Sequence, residues 1–422
     1  MLEQGKPRSV PLDFSVQNAL QDRASRGAIR LVCLRSANGD LLGSILSTLA
    51  AGQKEVRRSN MESFILQNKS DMPVDASRFF AHTNFPRLRH LDLTHCTVSS
   101  WDAFTSQTNL TKLVLHLASP SSIPTTPRLL SFIASNPSLQ KLALTRHSVP
   151  RDRNQDHPSV SLPKLKELEV AGEWKDVSMF LNRLVYPDIL DHLHIGLDSC
   201  TTDDISHTVG PFLQDHFRRR GRPQSDLGIY TSFARDITFH VCDIGSNHSP
   251  TLISERIAPF LSIDIAAVPN LPRNSPEELL PDIIAYIPRE EVVRLQIYNL
   301  PTAATTRGNS GMVMGNIYTL LPNLRALHSK WIPLSAVFPG PDSDGEDLVF
   351  SQSLRYLFLE HALPGGDWTP FTNFLLSPFH SSAKRLDFLQ IKGPSCLPPE
   401  VEHVIRSSAQ EFRFIPPKGM SL

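Results

Sequence analysis

The chain has 422 residues, more than one compact core usually needs, so it forms either several domains or one elongated array of repeats. Apolar residues make up 40% and charged residues 20%, as in ordinary folded proteins, and 42 basic residues balance 42 acidic ones. This balance argues against nucleic acid or an anionic membrane as a partner.

The sequence also restricts the compartment. No run approaches the roughly eighteen apolar residues of a membrane-spanning helix, and the first residues, MLEQGKPRSV, lack the apolar core of a signal peptide. The five cysteines stand singly, without a C-x-x-C pair, and we interpret them as reduced, mostly buried thiols. We therefore expect a cytoplasmic or nuclear protein.

Two strands and a helix are predicted at the start of the chain. Leu12, Phe14 and Val16 alternate with polar residues, as in a strand with one buried face, and a second short strand follows at 29–34. Asn38 is a candidate cap for a helix over the segment LLGSILSTLA, whose leucines form one apolar stripe. Strand and helix thus alternate from the beginning.

A triplet of the form L-x-x-L-x-L then recurs along the chain. In FPRLRHLDLT it consists of Leu88, Leu91 and Leu93, and the following copies begin at 110, 139, 165 and 190, giving spacings of 22, 29, 26 and 25 residues. Towards the C-terminus, copies begin at 292, 324, 354 and 386, giving spacings of 32, 30 and 32 residues. Amphipathic helical segments at 127–136 and 174–185 separate some copies. This alternation at these spacings is typical of leucine-rich repeats.

The pattern predicts an α/β fold, a leucine-rich-repeat-like solenoid with parallel strands on the concave face and helices on the convex face. In the irregular middle we predict a helix over 203–220 and a strand around Phe239, and we leave 244–275 open between helix and strand. A helix capped by Ser275, and a last helix over 399–408 with a closing FRFI strand, complete the prediction. We expect a single domain over 1–422, divided into 1–60 (strand and helix units), 61–200 (regular repeats), 201–275 (irregular middle) and 276–422 (C-terminal repeats and cap).

The residues between the triplet positions are the candidates for function. In such a fold the triplet side chains point into the core, and the residues between them point to the open face of the sheet. They mix charges, histidines and aromatic rings, and exposed aromatic residues are enriched at binding hot spots. The alternative is that helices or loops fold over this face. The candidate partner-binding residues are His90, Asp92, Lys112, His116, Glu167, Glu169, His192, His194, Arg294, Tyr298, Tyr356, Phe358 and Glu360.

Metal and catalytic sites have less support. His90, His95 and Cys96 are close in sequence, and His192 and His194 share a strand face, but zinc needs three or four convergent ligands and no further ligand stands at a matching spacing. The glycine-rich phosphate loop, G-x-S-x-G and H-E-x-x-H are absent, so we expect no cofactor, no metal and no enzyme activity. A hydrolase or metal site hidden in the irregular middle is the alternative.

Two charged runs interrupt the repeats. The basic run RRRGR at 218–222 lies at a predicted helix end, where cations complement the helix dipole, and nuclear import or anion docking is its alternative role. The acidic run DSDGED at 342–347 resembles part of a calcium loop but lacks the glutamate that would complete it. We interpret it as the tip of a loop.

Four segments, RSVPLDFSV, GDLLGSILSTLA, FPRLRHLDLTHC and LPKLKELEVAG, together resemble the large mushroom-type fungal family of F-box proteins with irregular leucine-rich repeats. In that family an F-box, a small helical module that docks on the linker subunit of a cullin-based ubiquitin ligase, precedes an RS-x-PL phrase and the repeats. The resemblance covers nearly the whole chain in pattern. No L-P-x-E-type helix precedes RS-x-PL here, so either the gene model is truncated or this copy has lost the module.

The repeats and the resemblance together imply a non-enzymatic scaffold for protein–protein interaction, similar to the substrate-recognition part of an F-box protein. Its partner is a protein of unknown identity, joined by ubiquitin-ligase subunits if an F-box exists upstream. The alternative is a substrate adaptor of a cullin-type ubiquitin ligase whose F-box is missing from this gene model.

Overall fold

The computed structural model shows a mixed α/β protein whose chain divides into two compact units, residues 1–196 (unit 1) and 197–422 (unit 2). Apart from a few isolated positions, the structure describes residues 29–53, 59–81, 85–104, 107–119, 124–145, 148–150, 158–198, 205–220, 225–231, 237–243, 261–265, 276–298, 317–338, 353–361, 367–376, 385–393 and 396–416.

Unit 1 is built on one main sheet with helices between its strands. Its strands are β1 (Leu31–Ser36), β2 (Ser63–Asn68), β3 (Val74–Asp75), β4 (His90–Thr97), β5 (Lys112–Leu117), β6 (Lys141–Leu144), β7 (Val160–Ser161), β8 (Glu167–Glu173), β9 (Leu184–Val185) and β10 (His192–Asp198). Its helices are α1 (Gly39–Gln53), α2 (Ser77–Phe80), α3 (Thr126–Ala134) and α4 (Trp174–Leu181), with a 3₁₀ turn at Trp101–Phe104. The main sheet has the order β1-β2-β4-β5-β6-β8-β10, so the strands follow the chain.

The register of unit 1 places equivalent triplet residues side by side. Strands β1 to β8 of the main sheet pair in parallel. Leu91 of β4 pairs with Leu113 of β5, which pairs with Leu142 of β6 and then with Leu168 of β8. All four are fully buried, so the predicted leucine face of the sheet is confirmed.

Aromatic rings fill the space between this leucine face and the helices of unit 1. Phe64 of β2 stacks on Phe79 of α2 with ring centroids 4.8 Å apart. Phe104 of the 3₁₀ turn lies 4.6 Å from Phe80 and 6.5 Å from Phe132 of α3. These contacts show that the helical segments cover the leucine face.

Unit 2 combines parallel and antiparallel strands. Its strands are β11 (Ser225–Thr231), β12 (Ile237–Asp243), β13 (Leu261–Ile265), β14 (Val292–Tyr298), β15 (Ala326–Lys330), β16 (Tyr356–Glu360), β17 (Leu386–Lys392) and β18 (Ala409–Ile415), in the order β13-β12-β11-β14-β15-β16-β17-β18. Its helices are α5 (Gly210–Arg220), α6 (Pro276–Ala285), α7 (Leu334–Val337), α8 (Thr369–Leu376) and α9 (Pro399–Ser408), and a π-helical turn, Ile205–Val209, precedes α5.

Strands β11, β12 and β13, in the irregular middle of the chain, do not follow the predicted parallel arrangement. β11 pairs antiparallel with β12, and β12 pairs antiparallel with β13, whereas β11 and β14 to β18 pair in parallel. Only residues 232–236 connect β11 to β12, and a parallel crossover needs a dozen or more residues. The prediction of successive parallel strands is therefore wrong here, because the connection is too short.

Several local predictions are confirmed. The amide of Leu41 donates to Asn38 Oδ1 over 3.1 Å, so Asn38 caps α1 as expected. Helices α3 and α9 and strand β18 lie where the sequence predicts them, whereas α4 begins at the predicted Trp174 but ends at Leu181, before the short strand β9. The strand of Leu12 to Val16, the cap at Ser275 and the acidic run at 342–347 lie outside the described residues. One continuous domain over 1–422 stays a prediction.

Two observations bear on the predicted compartment. Within the described parts of the chain, no helix has both the length and the apolar character needed to cross a membrane. Cys33 and Cys396 are exposed, Cys242 is half-buried and only Cys96 is buried, so the prediction of mostly buried thiols is wrong for the described cysteines. Burial raises the pKa of the Cys96 thiol to about 12, which keeps it protonated.

Candidate functional site

A repeated backbone contact holds the open face of each sheet in register. The carbonyl of Arg89, just before β4, accepts the amides of Thr111 (2.7 Å) and Lys112 (2.9 Å) at the start of β5. The same double contact recurs at the following strands of unit 1 and between β15, β16 and β17. These contacts align the starts of neighbouring strands. Residues that follow their own triplet leucines by the same number of positions therefore lie side by side and form rows across the sheet.

In unit 1 these rows bring the predicted candidates together. The first row is His90, Lys112, Lys141 and Glu167, and the second is Asp92, Val114, Ala143 and Glu169. His116 pairs with Thr94 in a third row. His192 and His194 lie together on β10, with nearly parallel rings and centroids 6.2 Å apart.

The first row joins a neutral histidine to an ion pair. Lys141 Nζ forms an ion pair with the Glu167 carboxylate. Burial and the nearby charge of Lys112 lower the pKa of His90, although Asp92 opposes the shift, so its imidazole is neutral at pH 7. His90 Nδ1 lies 3.2 Å from the Ser63 hydroxyl, and its buried Nε2 has no hydrogen-bond partner among the described residues.

Asp92 is buried and its carboxylate is engaged within the sheet. It accepts a hydrogen bond from Gln67 Nε2 at 3.1 Å and another from Thr94 Oγ1 at 2.9 Å. The bond from Gln67 connects β2 to β4, and the bond from Thr94 lies within β4. Asp92 therefore orients its neighbours, and the more accessible polar groups of this face are those of Lys112, Lys141 and the two glutamates of β8.

In unit 2 three rows run across β14 to β17. The first row is Arg294, Ala326, Tyr356 and Phe388. The second is Gln296, His328, Phe358 and Gln390, and the third is Tyr298, Lys330, Glu360 and Lys392. The structure thus brings all five unit 2 candidates onto one face.

The aromatic residues of this face are less exposed than the sequence suggests. Phe358 is only 3% exposed, and its ring lies between His328 at 6.1 Å and Phe388 at 5.3 Å. The expectation that Phe358 is an exposed aromatic candidate is wrong, because its ring packs between rings of the two adjacent strands. Arg294 and Glu360 are buried as well, whereas Tyr298 and Tyr356 are half-buried.

Glu360 forms the centre of a charged cluster at the carboxyl ends of the strands. Its carboxylate pairs with Lys392, and Lys330 Nζ and His328 Nε2 lie 3.6 and 3.5 Å from Oε2. His361 Nε2 lies 3.9 Å from Oε1. The hydrogen bond to His328, followed by Lys392 and the charge of Lys330, holds the pKa of Glu360 well below its usual range despite burial. Glu360 is therefore a carboxylate at every physiological pH.

A hydrogen-bonded chain extends from this cluster across β14, β15 and β16. The hydroxyl of Tyr298 lies 3.2 Å from His328 Nδ1 and donates to Gln296 Oε1 at 3.2 Å. Because His328 is buried and the charge of Glu360 is balanced by lysines, we assign the chain a positioning role.

Three successive strands of unit 2 end in residues with left-handed backbone. Trp331 (φ 55°) follows β15, His361 (φ 49°) follows β16 and Gly393 (φ 122°) follows β17. Such a conformation is strained for a tryptophan or a histidine. The amides of these residues donate to the next strand, from Trp331 to Glu360 O (3.0 Å) and from His361 to Lys392 O (2.6 Å). The result is an aromatic ledge of Trp331 and His361 at the carboxyl edge of the sheet.

The ledge was not predicted. The triplet of Leu324 and Leu327 lacks its third apolar residue, so His328 and Lys330 are not recognised as residues of the open face. Counting from Leu324 as in the other strands would place both residues on that face. Trp331 and His361 lie one residue beyond the strands. The sequence offers one signal for the left-handed backbone of Trp331 and His361. Gly393 occupies the equivalent position after β17, and glycine is typical of left-handed positions.

The other polar features offer less chemistry. Within the described residues, no group of three or more His, Cys, Asp or Glu side chains could hold a metal ion. In the basic run, Arg218 and Arg219 pair with Asp215 at 3.0 and 2.5 Å, as expected of a solvated helix end. Burial, and then the charge of Arg220, lower the pKa of His216 to about 4, so this histidine is a neutral part of the packing.

Comparison with models of known protein families gave no match. Comparison with curated proteins also gave no match.

Proposed function

We propose that this chain is a non-enzymatic scaffold for protein–protein interaction, built as an α/β leucine-rich-repeat-like solenoid that binds a protein partner on its open sheet faces. Its pattern is similar to the substrate-recognition part of an F-box protein. The observation that carries the proposal is the register of the rows, in which equal offsets from each triplet lie side by side across the strands of each unit. Rows of this kind can vary in side chain without disturbing the leucine core, as a recognition surface requires.

Within unit 2 we place the strongest binding contacts at the aromatic ledge. Trp331 is 42% exposed although it is large and apolar, and tryptophan is among the residues most enriched at hot spots. Its ring stacks on His361, and Lys330 Nζ lies 4.5 Å from its centroid. These contacts hold the ring in place before binding, which lowers the entropy that a complex must lose. Tyr298 lies beside the ledge, with Lys330 Nζ 5.7 Å from its ring centroid, and Tyr356 lies on the same sheet face in the first row.

We also propose a cytoplasmic or nuclear location and a protein partner, with ubiquitin-ligase subunits added if an F-box exists upstream. The four described cysteines are free, which supports a reducing compartment. Exposed free thiols such as Cys33 and Cys396 are unusual in secreted domains.

Quantitative affinity capture with matched variants tests the proposal. The face variant combines Trp331→Ala with Tyr356→Ala, and the control combines Leu376→Ala with Ile189→Ala, two exposed apolar residues outside the rows. Phe358 is left intact because truncating a buried ring would destabilise the fold. We expect the control to retain the wild-type partners and the face variant to lose them by about tenfold, equivalent to roughly 1.4 kcal/mol. Equal recovery with both variants, each shown to be folded by its thermal transition, would contradict the proposal.

A further inference from the structure

A polar groove of 580 Å³ runs along the amino edge of the unit 1 sheet, where the strands begin. Its lining includes Arg87 and Arg89 before β4, Asn109 before β5, Gln140 before β6 and Lys164 before β8. The groove is thus assembled from successive repeats. It lies at the end of the strands where the triplets start.

The repeat explains why these side chains line a groove. Leu88 is buried and its amide donates to Phe85 O over 3.0 Å, which closes a tight turn ahead of the strand. Leu139 and Leu165 make the same turn, at 3.1 Å each. The residues on either side of each of these leucines consequently point outward, and they line the groove at strand spacing.

The backbone of this edge is already satisfied. Arg89 O accepts two amides from the next strand, Asn109 Nδ2 donates to Pro86 O at 2.9 Å, and Thr111 Oγ1 donates to Arg89 O at 3.1 Å. A ligand in the groove would therefore contact side chains, because these backbone groups already have hydrogen-bond partners. Charge is the main property that those side chains can recognise.

The charges of the groove are mainly positive and uncompensated. Among the charged residues that line the groove, Arg87, Arg89 and Lys164 outnumber the single acidic residue, Glu62. None of these three cations forms an ion pair with another described residue, although the chain as a whole has balanced charge. Such a local excess favours an anionic ligand.

We propose that this groove binds an extended acidic segment of a protein. The cations before β4 and before β8 are three strands apart, about 14 Å at roughly 4.8 Å per strand. An extended peptide covers this distance in about four residues at roughly 3.4 Å each, and residues i and i+4 point to the same side. Carboxylates at i and i+4 therefore match Arg87 or Arg89 at one end and Lys164 at the other. The site is separate from the aromatic ledge, so it can fail or succeed independently of the proposed function.

The inference is tested with purified full-length protein and labelled synthetic peptides at low salt. One decapeptide of Gly, Ser and Glu carries its two glutamates at i and i+4, a second carries them at i and i+1, and a third has glutamine in their place. We expect fluorescence anisotropy to show tightest binding for the first peptide and loss of binding on adding salt. Binding of the glutamine peptide with equal affinity would overturn the inference.

Matched protein variants locate the site. Arg89→Gln with Lys164→Gln removes two groove cations, and Lys69→Gln with Lys175→Gln removes two exposed cations elsewhere in unit 1. We expect at least about fivefold weaker binding in the groove variant and less than about twofold change in the control. Equal effects in both variants would show a non-specific charge effect and overturn the site. Tighter, groove-dependent binding of single-stranded DNA would overturn the assignment of an acidic peptide.

Discussion

The indole of Trp331 and the imidazole of His361 lie nearly parallel, with ring centroids 5.7 Å apart and planes at 15°. Both residues have left-handed backbone, which costs a bulky residue about 1–3 kcal/mol. They occupy equivalent positions, directly after β15 and β16. The repeated geometry of these strands therefore produces both the backbone strain and the stacking of the two rings.

Gly393 continues this left-handed series after β17. A Cβ at this position would lie 2.9 Å from His361 Cα and from His361 Nδ1, and φ is 122°. We expect Gly393→Ala to destabilise the protein by about 2 kcal/mol, because both the clash and the backbone conformation oppose alanine. Gly43 is the matched control, since a Cβ there meets nothing within 4 Å and Gly43→Ala should stabilise α1 by about 0.5–1 kcal/mol. Urea unfolding of both variants measures the difference, and equal stabilities would contradict the structure at this edge.

Glu360 should make stability depend on pH in the acidic range. We expect Glu360→Gln to lower the free energy of unfolding at pH 7 by about 1–3 kcal/mol, because Lys392, Lys330 and His328 lose their shared carboxylate. Since the pKa of Glu360 is depressed in the folded state, its contribution is complete above the unfolded pKa of about 4.3 and is lost as the pH falls through the folded pKa. The stability difference between wild type and variant should therefore be constant from pH 7 to about 5 and shrink below about 4.

Urea unfolding of wild type and Glu360→Gln at pH 7, 5, 4 and 3 measures this dependence. A difference that stays constant down to pH 3, or that grows on acidification, would show that Glu360 is not the stabilised carboxylate of the cluster. Glu402, which pairs with Arg406 on exposed α9, is a control whose replacement by glutamine should change stability only slightly at any pH.

Asn136 should be the most sensitive asparagine of unit 1. It is fully buried, donates from Nδ2 to Gln107 O (2.8 Å) and Phe132 O (2.9 Å), and accepts from the amide of Leu110 (2.8 Å). Asn136→Ala removes these bonds and leaves buried backbone groups unpaired, so we expect a loss of about 2–4 kcal/mol. Asn109, whose exposed amide makes one bond to Pro86 O, should cost less than about 1 kcal/mol when changed to alanine. Similar losses for both variants in chemical denaturation would contradict this account.

Cysteine labelling tests the burial pattern without mutation. Cys33 and Cys396 are exposed, so iodoacetamide should modify both in the native protein. Cys96 is buried and its pKa is raised to about 12, so it should react only after unfolding. Peptide mapping by mass spectrometry identifies the labelled sites, and rapid native labelling of Cys96 would show that the leucine face of β4 is open.

The leucine core could be predicted because it depends on local pattern alone. Leu88, Leu91 and Leu93 combine period-two alternation with recurrence at repeat spacing, and both signals report burial directly. The rows on the open face could be predicted as well, because they consist of the residues between the triplet positions. The antiparallel strands β11 to β13 carry no triplet, so their pairing depends on contacts that the repeat does not encode.

The candidate site was harder to predict because exposure is a tertiary property. The sequence places Phe358 correctly on the open face, but only the neighbouring rings of His328 and Phe388 show that it is buried. Trp331 and His361 lie just past their strands, where alternation no longer applies. Their rings stack because both residues have a left-handed backbone, a conformation that is uncommon for tryptophan and histidine and is therefore not predicted from sequence.

Hydroxyl-radical footprinting of the protein, alone and with a captured partner, tests the central claim most directly. Trp331 and Leu376 are both apolar and exposed in unit 2, at 42% and 59%, so both should be oxidised in the free protein. If the partner binds at the aromatic ledge, oxidation of Trp331 and Tyr356 should fall severalfold in the complex while that of Leu376 stays unchanged. Unchanged oxidation of Trp331 and Tyr356 in a saturated complex would contradict the claim that this face binds the partner.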